Sequence, residues 1–185
     1  VYELYGPESA GQLLSIFSRL FTQWLHQNAF SCCMDDLLLN DMGNSERDRL
    51  LDEGAHFGRD AAMRNVGLEG QDLARPETAH NLRMRLEEVL RDDAKSASLD
   101  ADMMGASNKL TSSVIGACIP AGLYHRFPEN NMQMMCVSGA KGSGVNVSSI
   151  SCLLGPQALE GRRVPVMVSG KSIPSFKAFG TALGA

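Results

Sequence analysis

Five of the seven prolines in this chain fall between residues 120 and 185, and the two earlier ones, Pro7 and Pro76, each stand at the head of a helix-period apolar pattern. Proline breaks a helix except in its first turn, where its missing N–H and fixed φ do no harm. Long helices are therefore confined to the first two thirds, and only short ones joined by loops fit after residue 120. The expected fold class is mainly α, with long helices followed by a loop-rich segment with short helices.

After Pro7, Glu8 and Ser9, the residues Leu13, Leu14, Ile16, Phe17, Leu20, Phe21, Trp24 and Leu25 form a wide stripe at helical period. This predicts a core helix ending near Asn28, with Trp24 buried. FSCCMDDLLL reads as an extended or turn segment leading to the polar loop NDMGNS. A second helix is expected from Ser45, with Glu46 and Asp48 in its first turn and Leu50, Leu51, Ala55, Ala61 and Ala62 along one side, weakened by Gly54 and Gly58. VGLEGQDLARP is a linker, and Pro76 opens a third helix with the stripe Leu82, Leu86, Val89 and Leu90 opposite a lattice of Arg83, Arg85, Glu87, Glu88 and Arg91. A fourth helix runs from Leu99 to about Cys118, with Leu99, Met103, Leu110, Val114 and Cys118 at compatible spacing, and stops before Pro120. Short helices are expected around Met132 to Val137 and Val147 to Leu154.

Charge is unevenly divided. Residues 131–185 hold Lys141, Arg162, Arg163, Lys171 and Lys177 against Glu160, a balance of +4, so the first 130 residues carry −8 of the formal −4. The last third is expected to face something anionic. The five cysteines are odd in number, Cys32 and Cys33 are adjacent, and none forms a C-x-x-C pair; the four histidines have no helical ligand spacing. Neither a disulfide framework nor a metal site is expected, and a reducing compartment is the better reading. No apolar run approaches the ~20 residues that span a bilayer, so no membrane partner is expected. The start at Val1 and the ending GTALGA read as those of a fragment without a signal peptide or a terminal helix.

Short motifs are mostly decoys. Asp100 and Asp102 in SLDADMMG are expected to cap and polarise a helix N-terminus rather than bind a metal. SGKS, residues 169–172, ends like a phosphate-binding loop, but the first glycine of that motif would fall on Pro165. GAKGSG, residues 139–144, fails as well, because Val145 and Asn146 come after it. Lys141 among these glycines, ahead of the helix expected at Val147, reads either as an anion contact using free backbone N–H groups or as a plain turn. The sequon at Asn146 carries little weight, and Met132, Met134 and Met135 suit a core as well as an adaptable surface. No Ser/His/Asp or Cys/His constellation can be assembled.

The long stretch NNMQMMCVSGAKGSGVNVSSISCLLGPQALEGRRVPVMVSGKSIPSF, residues 130–176, resembles the N-N-x-x-x-M-x-x-x-G-[AS]-K-G-S-x-x-N … G-Q-Q-x-x-E-G-[KR]-R segment of the largest subunit of multisubunit RNA polymerases. Its wording is closer to polymerase I, the ribosomal RNA polymerase, than to polymerase II. Residues 1–39 resemble the end of that subunit's pore region and residues 86–115 its funnel helices. The resemblance implies a helical funnel domain, with 1–40 the end of the pore region, 41–130 the funnel helices and 131–185 a loop segment leading toward the bridge helix.

The resemblance also implies roles for particular residues. Lys141, Ser143 and Asn146 would line the secondary channel through which nucleoside triphosphates enter and transcript-cleavage factors or subunits reach the active centre. Gln157, Glu160, Gly161 and Arg162 would pack beside the bridge helix or another subunit. One departure is Gly155-Pro156-Gln157 in place of G-Q-Q, which removes the first glutamine's hydrogen bonds. The resemblance further implies partnership with the second-largest and other polymerase subunits, contact with DNA and RNA through the whole enzyme, a nuclear and nucleolar location, and magnesium and zinc in the whole subunit with none in this segment. The family's catalytic magnesium loop N-A-D-F-D-G-D is absent from the chain. No catalytic residue is therefore expected here, and the segment alone should not polymerise. An independent helical interaction module is the other reading.

Overall fold

The computed structural model describes residues 1–176; residues 177–185, with Lys177 and the ending GTALGA, lie outside the described residues. Helix α1 spans Tyr2–Gln27 with a break at Gly6, whose φ is 82°, so that Pro7 restarts it in a first-turn position and Asn28 closes it. A single 3-10 turn, Met34–Asp36, sits within the otherwise irregular stretch before the next helix. The expected extended or turn segment is observed there. The main body is α2 (Asp41–Gly54), α3 (Phe57–Asn65), α4 (Pro76–Arg91) and α5 (Asp93–Cys118), followed by the short helices α6 (Asn131–Val137) and α7 (Gly144–Ser151) and a hairpin of β1 (Ala158–Leu159) and β2 (Arg162–Arg163). The fold is mainly α, as the sequence predicts.

Two helices start earlier than their apolar patterns suggest, because polar caps set their first turns. Asn40 accepts the Gly43 N–H through Oδ1 at 2.7 Å, which draws NDMGNS into α2 and moves its start from Ser45 to Asp41. Asp92 Oδ1 likewise accepts the N–H groups of Ala94 and Lys95, at 3.0 and 3.4 Å, so α5 begins at Asp93 rather than Leu99. Asp100 and Asp102 therefore lie inside α5, and the capping expected of them belongs to Asp92. The single second helix predicted across Gly54 and Gly58 is two helices, α2 and α3, separated between Gly54 and Phe57. Position 54 requires glycine because the end of α2 lies against Leu110: a Cβ there would sit 2.5 Å from a Leu110 methyl.

Helix α5 is the spine, and α2, α3 and α4 pack along it. One apolar cluster joins Leu39, Val114, Cys118 and Leu123, flanked by Leu50, Leu51, Leu110 and Cys152. A second joins Val66, Leu68, Val89 and Leu99, with Leu82, Leu86 and Met103 against it. The α5 stripe is thus used as predicted. On α4 the exception is Leu90, which is exposed. Beside the first cluster the backbones nearly touch: the Asn40 N–H donates to the Gly122 carbonyl at 2.8 Å, and a Cβ on Gly43 would lie 2.6 Å from that same oxygen.

Helix α1 contradicts the expectation of a core helix. None of its residues is buried, and Trp24 is 55% exposed. Its periodic stripe is real, with Phe17 and Phe21 stacked at 5.6 Å, but nothing in the described residues covers it. Among the described residues no helix is long and apolar enough to cross a membrane.

Candidate functional site

The glycine-rich loop between α6 and α7 is held by its own backbone. The Gly139 N–H donates to Cys136 O at 3.2 Å, the Lys141 N–H to Met135 O at 3.3 Å, and the Ala140 N–H to the Ser138 hydroxyl at 3.4 Å. The Cys136 thiol lies beneath the loop, 3.4 Å from Ser143 O and 3.7 Å from Lys141 O. Gly139 and Gly142 both stand at positive φ, 75° and 82°, which explains glycine at these two corners.

Ser143 is the N-cap of α7, so the helix starts three residues ahead of Val147. Asn146 Oδ1 accepts both the Ser143 N–H, at 3.0 Å, and the Ser143 hydroxyl, at 2.8 Å. Ser143 and Asn146 therefore serve each other. The backbone N–H groups expected to be free for an anion are in large part engaged within the loop. What the loop offers a ligand is the ammonium of Lys141, which is exposed and pairs with no carboxylate among the described residues. Lys141 also borders an open apolar cleft of about 650 Å³ lined by Trp24, Leu25, Phe30, Met134 and Met135. Met134 and Met135 of α6 thus serve a surface rather than a closed core.

The other predicted residues form the β1–β2 hairpin, an element that the sequence does not announce. Leu159 pairs with Arg162 across a two-residue turn whose members, Glu160 and Gly161, have φ of 51° and 79°. Positive φ at both positions is the requirement of a type I′ turn, and glutamate in place of the usual Asn or Asp hides it in the sequence. Gln157 donates only weakly, at 3.4 and 3.5 Å, to Gly155 O and Leu154 O.

Part of the basic tail is used internally. Arg163 Nε lies 2.5 Å from Asp100 Oδ1, and Arg162 reaches Asp93 at 3.5 Å, so the hairpin is pinned to the first half of α5. Neither a hydrogen bond nor an ion pair joins the hairpin to the Lys141 loop among the described residues.

The cysteine beside the core is not poised as a nucleophile. Burial beside the Cys118 thiol pushes Cys152 up to about 12, so it stays protonated at neutral pH. No cluster of His, Cys, Asp or Glu among the described residues could hold a metal ion.

A family model described as RNA polymerase Rpb1, domain 4, matches residues 78–182, more than half of the chain. The chain belongs to that family. It is 56% identical over 182 residues to the DNA-directed RNA polymerase I subunit rpa1 of Schizosaccharomyces pombe, covering 98% of this chain and 10% of that protein. It is 50% identical over 181 residues to the DNA-directed RNA polymerase I subunit RPA190 of Saccharomyces cerevisiae, covering 98% and 11%. With the rpa1 subunit of Dictyostelium discoideum the identity is 42% over 178 residues, covering 96% and 11%. The chain spans about a tenth of the length of the curated relatives it matches.

A further bonded group, which no sequence motif marks, gathers around Asp36 and Asn130. Asp36 is 2% exposed; its Oδ2 accepts the Cys33 N–H at 2.9 Å, and its Oδ1 accepts the Asn131 N–H at 3.3 Å and lies 3.5 Å from His125 Nδ1. Asn130, fully buried, donates through Nδ2 to Asp36 O at 2.8 Å and to His125 O at 2.9 Å, while its Oδ1 takes the Gln133 N–H at 2.8 Å and caps α6. Asn131 Nδ2 reaches Ser31 O at 2.7 Å. The only signal in the sequence is the pair Asn130-Asn131 at the head of the resembling segment.

Proposed function

We propose that the chain is a part of the largest subunit of DNA-directed RNA polymerase I, forming the helical funnel that walls the secondary channel. In that reading residues 1–40 end the pore region, 41–130 are the funnel helices, and 131–185 lead toward the bridge helix. Lys141 borders the path of incoming nucleoside triphosphates. The observation that carries this reading is the identity over nearly the whole chain to RNA polymerase I largest subunits from separate organisms. Two structural facts support it: the uncovered apolar face of α1, which needs a larger body to pack against, and the exposed ammonium of Lys141, which has no carboxylate partner among the described residues.

The partners belong to the same reading: the second-largest and other polymerase subunits, a transcript-cleavage subunit or factor in the funnel, and DNA and RNA through the whole enzyme, in the nucleus and nucleolus. Magnesium and zinc belong to other parts of the subunit. The Lys141 loop binds and steers; it has no group that could carry out nucleotidyl transfer. Ser143 and Asn146 line the same path, and the two bonds that Asn146 Oδ1 accepts from Ser143 hold the loop in shape while leaving the Asn146 amide NH2 to face the nucleotide. The hairpin, with Gln157, Glu160, Gly161 and Arg162, offers the surface that packs beside the bridge helix or another subunit.

A lysine about 4 Å from a phosphate contributes on the order of 1 to 4 kcal/mol, depending on the effective dielectric. This is a binding contribution, equal in ground and transition states. In the assembled polymerase, Lys141→Ala should raise the apparent nucleotide KM several-fold and leave the rate at saturating nucleotide unchanged, the pattern of lost uniform binding. A KM equal to wild type at all ionic strengths, in an enzyme that assembles normally, would remove Lys141 from the nucleotide path.

A further inference from the structure

We propose that Asp36 is the positioning residue of the Lys141 loop, acting through α6. The proposal deepens the reading of Lys141 as a nucleotide-path residue and rests on it for its kinetic consequence alone.

Helix α6 has seven residues, about two turns and roughly 10 Å of rise, too short to be stable without outside contacts. Its orientation is set by what holds its first turn. That turn is held across nearly a hundred positions of sequence by one buried carboxylate and its neighbours: Asp36 Oδ1 takes the N–H of Asn131, the first residue of α6, and Asp36 O takes the amide of the N-cap Asn130. The carboxylate is itself fixed by the Cys33 N–H, and His125 Nδ1 lies 3.5 Å from it.

At the other end of α6, the Lys141 N–H bonds to Met135 O, the Gly139 N–H to Cys136 O, and the Cys136 thiol sits under the loop carbonyls. Lys141 is therefore bonded directly to the helix that Asp36 holds. The α7 end of the loop, closed by Ser143 and Asn146, makes no hydrogen bond to the Lys141 backbone amide. A rotation of α6 about its first turn moves Lys141 with it.

Asp36→Asn tests this in the assembled polymerase. Asparagine keeps the shape but replaces one acceptor oxygen with an NH2 group, which must face one of the two backbone N–H groups that the carboxylate accepted. Amide hydrogen exchange read across residues 138–144 should speed up about tenfold, the consequence of losing one charge-assisted hydrogen bond, with exchange in α2 and α5 unchanged. Unchanged exchange across 138–144 overturns the proposal. If Asp36→Asn loosens the whole chain, Asn131→Pro decides, because it removes the one backbone N–H that the Asp36 carboxylate takes from α6, at a first-turn position where proline fits a helix: loosening confined to 138–144 supports the proposal, and none there overturns it.

The kinetic arm separates this idea from the one beneath it. If both hold, Asp36→Asn raises the nucleotide KM, leaves the saturating rate unchanged, and adds nothing further in an enzyme already carrying Lys141→Ala. If Lys141→Ala itself leaves KM unchanged, the nucleotide-path reading fails while the exchange result still judges the positioning role. An Asp36→Asn effect on KM that adds fully to that of Lys141→Ala overturns the proposal.

Discussion

Arg163 sits 63 positions from Asp100 in sequence, yet its Nε meets that carboxylate at 2.5 Å while Asp100 is nearly buried. From sequence, Asp100 reads as a helix cap and Arg163 as part of a basic face. Both roles change because the helix starts six residues early and a hairpin folds back onto it. Removing Arg163 leaves a buried carboxylate without its partner, while the exposed half of the arginine side chain moderates the loss. Arg163→Ala should therefore lower stability by about 1 to 2 kcal/mol, and Asp100→Ala combined with it should cost little more than either change alone. Denaturant midpoints of the four proteins in that cycle provide the check, and strictly additive losses would show that the pair makes no net contribution. Lys141 is legible at this scale as the lysine of a tight turn, since Gly139 and Gly142 take the positive φ that the loop needs. Asp36 is not, since what ties its carboxylate to α6 is the backbone N–H of Asn131, 95 positions away, and a backbone donor leaves no mark in the sequence.

Among the elements, apolar periodicity locates α1, α4 and α6, and finds α7 displaced, since the helix expected over Val147–Leu154 runs Gly144–Ser151. It misplaces the starts of α2 and α5, where Asn40 and Asp92 supply acceptors that no hydrophobic pattern reports. It also misses the hairpin, whose strands are two residues each and whose turn lacks the usual Asn-Gly. The largest difference concerns α1, because a stripe shows that a face is apolar and says nothing about what lies on it. Burying Trp24 in a core would make Trp24→Ala cost about 3 to 5 kcal/mol. With Trp24 55% exposed, the isolated chain should instead change by no more than about 0.5 kcal/mol. Since Trp24 is the sole tryptophan, its fluorescence in the isolated chain should be readily quenched by acrylamide. A large fall in the midpoint, or a shielded tryptophan, would mean that α1 packs within the chain after all.

The whole molecule consists of a compact helical body around α5, a loop and hairpin on its C-terminal side, and an N-terminal helix whose apolar face has no cover among the described residues. A chain that makes up about a tenth of its relatives' length is expected to show such a face at the point where it joins the rest. The motif resemblance conveys the family from residues 130–176, whereas the uncovered face emerges only when α1 is placed in three dimensions. Hydrogen exchange across residues 7–28 tests this directly when measured in the isolated chain and in the assembled polymerase. A helix without tertiary contacts exchanges quickly, so the segment should be weakly protected alone and at least about tenfold more protected in the enzyme, while α5 is protected similarly in both. Equal, strong protection of 7–28 in the two states would show that the chain completes its own core and contradict its assignment as a piece of a larger subunit.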